Sequence, residues 1–457
     1  MNQHKKRVNG GNQITEGAIW KQILFFFFPI LLGTFFQQLY NTIDMVIVGR
    51  FVGKEALASV GGSSGQIVNL VVSFFTGLSA GAGVIISQCY GARSEKRLDD
   101  GLHTAYAMSI AGGIIATIFG IWLSPAILSR MNTPDEIMAL STTYLRIYFA
   151  GILFVFIYNI GSGILRALGD SRRPLYILII CCLVNIVMDL VMVLWLKLGV
   201  AGVAIATLFA QAVSAILVTL VLMRSKDMYR LQLSKIRFHG SMLKSQLYLG
   251  VPGGIQSVMY SLSNIIIQSA VNVYGTDTTA AWAAHGKLDA IFWMISGAFG
   301  VSITTFAGQN YGAGKLDRVK RGTVICLLMD QGVSLFMTLF LILFRYPLFR
   351  IFSADPAVVE IGADMLRLIA PCFIVFSFVE IFSSALRGIG DVLIPMFLTL
   401  FGVCLLRIAW IFAVVPLNPS VHMILMNYPV TWITTAILFI FYFRYRIQHP
   451  HHLRQSS

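Results

Sequence analysis

The chain has 457 residues, of which 57% are hydrophobic and only 12% are charged, and its formal net charge is +14. A soluble domain usually carries about twice this charged fraction, so lipid is the expected solvent for much of the surface. The six cysteines form no CxxC pair, and most of them lie within apolar runs. That pattern indicates neither a disulfide framework nor a zinc site.

Apolar runs separated by polar breaks predict an all-α membrane protein with twelve transmembrane helices. The first run follows Lys5, Lys6 and Arg7, but it is far longer than the core of a signal peptide and is therefore read as the first span. A hydrocarbon core of ~30 Å needs roughly 20 residues per helix, which every run supplies. The predicted spans cover residues 19–49, 57–90, 98–123, 136–165, 174–196, 200–223, 246–274, 278–310, 319–344, 357–386, 392–416 and 421–443.

These spans divide the chain into two six-helix lobes joined by a basic segment. The predicted organisation is an N-terminal cytoplasmic segment, an N-terminal lobe, a basic cytoplasmic linker, a C-terminal lobe and a cytoplasmic tail. Their limits are, in that order, 1–18, 19–223, 224–245, 246–443 and 444–457.

The basic residues outside the spans fall mainly on one side of the predicted membrane. Assigned loop by loop, 23 Lys and Arg residues lie on the side that carries both termini, and six lie on the other side. Cytoplasmic loops carry the excess of Lys and Arg, so both termini are expected in the cytoplasm of a bacterial cell, with the chain in its inner membrane. The positive charge is thereby explained as a topological signal, and a nucleic-acid partner is not expected.

The second half of the sequence repeats motifs of the first half, and the position numbers of matching residues differ by a constant offset of 221. The matching positions are Gln88, Tyr90, Gly91, Ala92, Arg97 and Gly101 with Gln309, Tyr311, Gly312, Ala313, Arg318 and Gly322; Leu145 and Arg146 with Leu366 and Arg367; and Leu165, Arg166, Gly169, Asp170 and Pro174 with Leu386, Arg387, Gly390, Asp391 and Pro395. Because each unit has an even number of spans, the two lobes have the same orientation. Parallel repeats with a substrate path between them are typical of secondary transporters.

Two acidic residues of the first half are predicted inside the membrane at a similar level. Asp44 precedes Arg50 by six residues and Asp189 precedes Lys197 by eight, which places them about 9 and 12 Å inside the outer end of their spans. Asn185 lies one turn before Asp189.

Antiparallel packing of the fifth and sixth predicted spans would bring Thr207 to the depth of Asp189. Two carboxylates in a poorly solvated site cannot both ionise cheaply, so one is expected to hold a proton near neutrality. Carboxylate, amide and hydroxyl oxygens also suit a hard cation. Asp44, Asn185, Asp189 and Thr207 therefore predict a coupling site for H⁺ or Na⁺, and the alternative is a structural hydrogen-bond cluster.

The second half does not repeat this chemistry. The constant offset relates Asp189 to Trp410, which has Arg407 beside it. Asn264, taken as the counterpart of Asn41, is followed by Ile-Ile-Ile-Gln and no acid. The coupling site is therefore expected in the first half only. No other metal site and no cofactor are expected.

Several other polar residues inside predicted spans are candidates for substrate contacts. Charge within the hydrocarbon region is costly, so each case needs a reason. Asp289 and Asp330 could bind a cationic substrate or form salt bridges with Lys287 or Arg407. Glu380 corresponds to Asn159, and both could contribute to a cytoplasmic gate. The remaining candidates near the sites are Tyr40, Gln211, Gln256 and, as a point of helix bending, Pro29.

The sequence resembles the multidrug and toxic compound extrusion family, MATE, along nearly its whole length, and is most similar to the prokaryotic branch called DinF-like. The motifs that carry the resemblance are Tyr40-Asn41-Thr42-Ile43-Asp44 followed by Gly49, Gln88-Cys89-Tyr90-Gly91-Ala92, Leu165-Arg166-Ala167-Leu168-Gly169-Asp170, Asn185-Ile186-Val187-Met188-Asp189, and Gly202 to Thr207 with Gln211.

The resemblance implies an antiporter that exports organic, amphipathic or cationic compounds in exchange for H⁺ or Na⁺. It implies coupling residues at Asp44, Asn185, Asp189 and Thr207, with Tyr40 and Asn159 nearby, and it matches Pro29 to a bending model of the first helix. Two positions depart from the family pattern. Leu190 stands where a proline often follows the second aspartate, and Gln256 follows Pro252 where other branches place an acid. Small organic substrates and membrane lipid are the expected partners, and a monomer is expected.

Three other classes of membrane protein are alternatives to this antiporter. A flippase for lipid-linked precursors would share the architecture but would need a strongly cationic central cavity, and few basic residues lie inside the spans. A transporter of the major facilitator type usually marks its second loop with a G-x-x-x-D-R-x-G-R motif, where this chain reads GARSEKRLDDG. A membrane enzyme would need catalytic residues, and the spans contain no HExxH, paired histidines or nucleophile motif.

Overall fold

The computed structural model describes residues 14–225 and 229–449, which form long helices and, within these ranges, no strands. Twelve helical segments are numbered in chain order. They are α1 Ile19–Val52, α2 Lys54–Gly91, α3 Glu95–Arg130, α4 Asp135–Ala167, α5 Arg172–Trp195, α6 Gly199–Met223, α7 Gly240–Asn272, α8 Thr276–Gly312, α9 Leu316–Leu343, α10 Pro356–Ile369 with Cys372–Gly388, α11 Leu393–Leu417 and α12 Val421–Gln448. Lys5, Lys6, Arg7, Lys226 and Arg454, which the topology prediction used, lie outside the described residues.

Most of these segments are long and apolar enough to cross a membrane. Ten of them meet that test singly, and the two parts of α10, bent by 50°, meet it together. The exception is α7, whose 33 residues would span about 50 Å at ~1.5 Å per residue but include many Ser, Gln, Gly and Asn residues. Four of its polar residues line a cavity, described below, and therefore do not face lipid; they are Gln256, Ser257, Asn264 and Gln268. The prediction of an all-α membrane protein built from two six-helix repeats is confirmed.

The segment between the lobes is shorter than the sequence predicted. Since α7 begins at Gly240, the predicted boundary at 245 lies inside that helix. Tyr229 and Leu231 are buried against α3 and its neighbours. The backbone N–H of Gln232 donates to Nε2 of His103 at 3.1 Å. The linker is therefore packed onto the N-terminal lobe.

The duplication is visible in the backbone. Helices α2 and α8 end at equivalent glycines, Gly91 and Gly312, which the constant offset relates to each other. The turns that follow each helix adopt positive φ at equivalent positions, with 53° at Arg93 and 73° at Gly314. The turns after α4 and α10 agree in the same way, because φ is 92° at Gly169 and 91° at Gly390. Equal chain reversals at equal offsets are what two copies of one fold require.

The first helix belongs to both lobes. Near its start, Ile23, Phe26 and Phe27 are buried in the core of the C-terminal lobe, where the ring of Phe27 stacks on Phe299 at 4.0 Å between centroids. Near its end, Ile47 packs into a core of the N-terminal lobe. The helix runs without interruption through Pro29, between these two parts.

A reciprocal contact joins the lobes where α2 meets α8. Nε2 of Gln88 donates to the carbonyl of Gly388 at 2.9 Å, and Nε2 of Gln309 donates to the carbonyl of Ala167 at 2.7 Å. Donors and acceptors are both related by the offset of 221. The backbones touch closely here, since a Cβ on Gly91 would overlap the carbonyl of Gln309 and a Cβ on Gly312 would overlap that of Gln88. This contact lies at the basic side of the molecule and is called the reciprocal seal; it is formed by Gln88, Gly91, Gln309 and Gly312 with the carbonyls of Ala167 and Gly388.

Candidate functional site

The two predicted acids of the N-terminal lobe lie together in the structure. Asp44 of α1 is 9% exposed and Asp189 of α5 is 0% exposed. Their carboxyl groups lie within hydrogen-bonding reach of each other, and Asp44 also reaches the hydroxyl of Thr207 on α6. Asn185 is buried one turn before Asp189. The side chains that the sequence placed at one depth therefore form a cluster between α1, α5 and α6, which is called the acid pair site.

Most polar atoms of the acid pair site lack a partner in the described part of the chain. Apart from the approach of the two carboxyl groups to each other, both carboxylate oxygens of Asp189, Oδ1 of Asp44 and both amide atoms of Asn185 are buried without a hydrogen bond in the described chain. Leaving a buried polar group unsatisfied costs about 1–3 kcal/mol, and more when it is charged. A set of oxygens this poorly satisfied fits a shared proton or a small hard cation.

Tyrosines enclose the acid pair site. Tyr40 lies one turn before Asp44 and accepts a hydrogen bond from Nε2 of Gln211 at 3.4 Å between the heavy atoms. On α4, Tyr144 is buried within electrostatic range of both acids. The sequence analysis named Tyr40 and Gln211 but missed Tyr144. The available signal was the spacing of Tyr144 and Tyr148, which places both on one helix face.

Three helices that carry a buried charge, α1, α5 and α11, leave regular α geometry close to the charged residue. Helix α1 changes to π geometry over Val48–Val52, one turn after Asp44, and α5 does so over Val191–Trp195, directly after Asp189. In α11, Arg407 lies between two π segments. Such segments occur often at functional sites because they re-aim side chains and free backbone groups. Nothing in the hydrophobic pattern predicted them.

The C-terminal lobe contains a cavity of about 630 Å³ between α7, α8, α10, α11 and α12. Four of the predicted candidates line it, namely Gln256, Asp289, Glu380 and Arg407. Its walls also include Tyr260, Asn264, Gln268, Trp282, His285, Trp293, Phe376, Arg387 and Tyr428. A volume of ~300–1,000 Å³ lined by aromatic and a few polar side chains is typical of a small-molecule site.

Asp289 and Arg407 do not form the salt bridges that the sequence allowed. Asp289 accepts a hydrogen bond from Nε1 of Trp293 at 2.6 Å. Arg407 donates from Nη1 to Oδ1 of Asn264 at 3.1 Å and lies over the ring of Tyr428. Asp289 has no basic side chain within 4.0 Å in the described ranges, and Lys287 is exposed outside the cavity. Asp289 and Arg407 therefore face the same space without neutralising each other by contact.

Asp330 does not line the cavity. It is 1% exposed within the C-terminal lobe, and its Oδ2 accepts a hydrogen bond from Ser296 at 3.2 Å. Ser377, nearby on α10, forms a hydrogen bond with Ser334. The structure thus separates Asp330 from Asp289, two residues that the sequence could not distinguish.

A second cavity, of about 160 Å³, lies between the lobes. Asn159 and Glu380, the pair predicted for a gate, both line it, as do Arg166 and Arg387. The sequence analysis counted these two arginines as loop residues, but they occupy the last turns of α4 and α10. Arg387 lies 4.0 Å from the carboxylate of Glu380. Glu380 and Arg387 also line the larger cavity, so the two spaces share a wall.

The family follows from a match in both lobes. A model of the MatE family matches residues 29–191 and 252–412, together more than half of the chain. The chain belongs to the MatE family. Its members are membrane transporters and not enzymes, and the two matched segments correspond to the two repeats. Membership in MatE excludes the major facilitator alternative.

Relatives of the MatE chain include named drug-resistance proteins. The probable multidrug resistance protein YoeA of Bacillus subtilis (strain 168) is 28% identical over 398 residues, which cover 85% of each chain. The probable multidrug resistance protein YpnP of the same organism is 30% identical over 394 residues, covering 86% of this chain and 88% of YpnP. A structure described as the outward-facing conformation of a multidrug resistance MATE family transporter is similar in fold, with a TM-score of 0.88 at 22% identity, covering 96% of this chain and 98% of that chain.

Proposed function

We propose that this MatE protein is an antiporter that exports small organic compounds in exchange for H⁺ or Na⁺. The coupling ion binds at the acid pair site, and the substrate binds in the cavity of the C-terminal lobe. The observation that carries the proposal is the close approach of the buried carboxyl groups of Asp44 and Asp189, three of whose oxygens receive no hydrogen bond from any other group of the described chain. The names of YoeA and YpnP support drugs and similar organic compounds as the substrates.

Coupling requires a site whose affinity for the ion differs between the two states of the transporter. Asp44 lies on α1, which packs against both lobes, whereas Asp189 and Thr207 belong wholly to the N-terminal lobe. A movement of the lobes that shifts α1 would change the distance between the two carboxyl groups. Binding of H⁺ or Na⁺ between them would then favour the arrangement in which they are close.

The reciprocal seal and the basic loops set the direction of transport in this proposal. The basic side faces the cytoplasm by the positive-inside rule, with both termini on that side and the protein in the bacterial inner membrane as a monomer. Export then requires the seal to open to admit substrate and to close again before substrate leaves on the other side.

The test is efflux of a fluorescent organic cation from proteoliposomes, driven separately by a pH gradient and by a sodium gradient. One gradient is expected to drive efflux, and Asp44→Asn and Asp189→Asn are each expected to abolish it. Asp317→Asn, which removes a carboxylate whose side chain is 91% exposed, is the control and should transport normally. Normal transport by folded Asp44→Asn protein would refute the assignment of the coupling site, and no efflux under either gradient would refute antiport of that class of substrate.

A further inference from the structure

The strongest unpaired charge in the C-terminal lobe is a buried arginine. Arg407 is only 3% exposed and lies in the interior of α11. Its polar contact is Asn264, a neutral amide, and its guanidinium carbon lies 4.6 Å from the centroid of the Tyr428 ring. No carboxylate of the described residues lies within 4.0 Å of it. Nε has no hydrogen-bond partner there.

The buried positive charge of the Arg407 guanidinium is only partly compensated by its neighbours. Burying a charge is expensive unless it is paired and hydrogen-bonded. The side-chain oxygen of Asn264 satisfies one N–H, and the face of Tyr428 offers a cation–π attraction. An arginine carries five N–H donors in a planar fork that matches a carboxylate, so donors remain for a ligand. Because Arg407 lines the cavity, a bound molecule can reach them.

The walls around Arg407 select for an aromatic ligand. Tyr428 and Trp282 approach to 6.2 Å between ring centroids on one part of the wall, and Trp293 lies beside Phe376 on another. Flat apolar groups gain stacking energy between such rings. Asp289 also lines the cavity, and its Oδ1 has no partner in the described chain. An amine on the ligand would find an acceptor there.

We propose that the cavity binds aromatic compounds that carry a carboxylate, with the carboxylate held by Arg407 and any amine of the same molecule directed to Asp289. The inference rests on the proposed function in placing the substrate in this cavity. It differs from the expectation of a simple organic cation, because a ligand without an acidic group offers no charged acceptor for the free N–H donors of Arg407. It also assigns Arg407 as the residue that determines this specificity.

The test compares two dyes that differ only at the carboxyl group. Rhodamine 110 carries a free carboxylate, and rhodamine 123 is its methyl ester. Binding to the full-length protein in detergent is measured by fluorescence anisotropy without any ion gradient. The wild-type protein is expected to bind the acid roughly 10-fold more tightly than the ester, the effect of one charge-assisted hydrogen-bond pair. Ester binding equal to or tighter than acid binding would overturn the proposal.

Variants of Arg407 test whether this residue causes the preference for the acid over the ester. Arg407→Met is expected to weaken binding of the acid by roughly 10-fold and to leave binding of the ester within about 2-fold, while Arg407→Lys keeps part of the preference. Lys287→Met, which removes an exposed positive charge from α8, is the matched control and should keep the full preference. Equal loss of both dyes in folded Arg407→Met protein would show that Arg407 is structural. Because no gradient is used, failure of ion coupling would leave the dye preference intact.

Discussion

The acid pair site and Arg407 of the C-terminal cavity occupy related places in the two lobes but carry opposite charge. Ile186 and Asp189 of α5 are related by the constant offset to Arg407 and Trp410 of α11. The site with two acids is enclosed by tyrosines and holds its polar atoms close together. The site with an arginine opens into a cavity of about 630 Å³. In the proposed function, one scaffold serves a small ion in the first lobe and a larger molecule in the second.

The backbone explains how one helix geometry serves both sites. The π segment Val191–Trp195 of α5 and the π segment Trp410–Val414 of α11 nearly coincide when the offset is applied. Each lies at the point where the helix carries its site residue. The π geometry is therefore shared between the lobes, whereas the side chains beside it differ, with Asp189 in α5 and Arg407 in α11.

The largest expected effect is on gradient-driven transport, and it distinguishes the acid pair site from the cavity of the C-terminal lobe. Asp189→Asn should abolish gradient-driven transport, because an amide neither takes up a proton near neutrality nor supplies the negative charge that holds a cation. Dye binding in the C-terminal cavity should change by less than about 2-fold. Transport in proteoliposomes and anisotropy in detergent measure the two quantities on the same preparation. A parallel loss of dye binding would mean that the two sites are not separate.

The next effect tests whether the lobes are equivalent at the reciprocal seal. Gly91→Ala and Gly312→Ala each place a methyl group against the backbone of the opposite lobe. Overpacking of about 1–3 kcal/mol should lower transport by roughly 10-fold in both variants. Gly332→Ala is the control, since a Cβ there meets nothing within 4 Å. A large loss of transport for one glycine variant and none for the other would show that the two lobes are not equivalent at the seal.

A smaller effect concerns the acid of the C-terminal cavity. Asp289→Asn should weaken binding of the cationic ester rhodamine 123 by roughly 5-fold, the value of one partly exposed charge interaction. Transport driven by the coupling ion should persist at raised dye concentration. Dye titration of Asp289→Asn and of wild-type protein gives the comparison. Unchanged binding of both dyes would show that Asp289 does not interact with the ligand.

The smallest expected effect is at Tyr144. Tyr144→Phe keeps the ring that packs beside the acid pair site and removes only the hydroxyl. The concentration of coupling ion needed for half-maximal transport should shift by roughly 3-fold, because the hydroxyl dipole lies within electrostatic range of both acids. Tyr176→Phe, which removes the hydroxyl of an exposed tyrosine on α5, should cause no shift. A shift of the same size in both variants would assign the effect to general packing.

The sequence predicted the features that depend on periodicity and offset. The helices, the two repeats and the proximity of Asp44 and Asp189 all follow from apolar runs, an offset of 221 and the rise per residue of an α-helix. The sequence could not predict which spans leave α geometry, because the side chains that cause a π segment act through tertiary packing.

Other features needed the packed structure for a related reason. Whether Asp289 or Asp330 faces a cavity depends on the rotation of α8 and α9 about their axes, which apolar runs do not define. Arg166 and Arg387 appeared to belong to loops because charge usually ends a span, yet each lines the space between the lobes. The polar character of α7 had the same origin, since residues that face an internal cavity escape the requirement for apolar side chains.

The reciprocal seal has the form of an isologous interface, in which the same surface patch is used on both sides of a twofold axis. Gln88 contacts Gly388 as Gln309 contacts Ala167, and Gly91 fits against Gln309 as Gly312 fits against Gln88. A single six-helix half therefore carries every group that is needed to bind a second copy of itself. In the fused chain, a change at one of these positions damages only half of the contact, whereas in a homodimer it would damage both halves at once. Joining the halves in one chain left each lobe free to acquire its own charge.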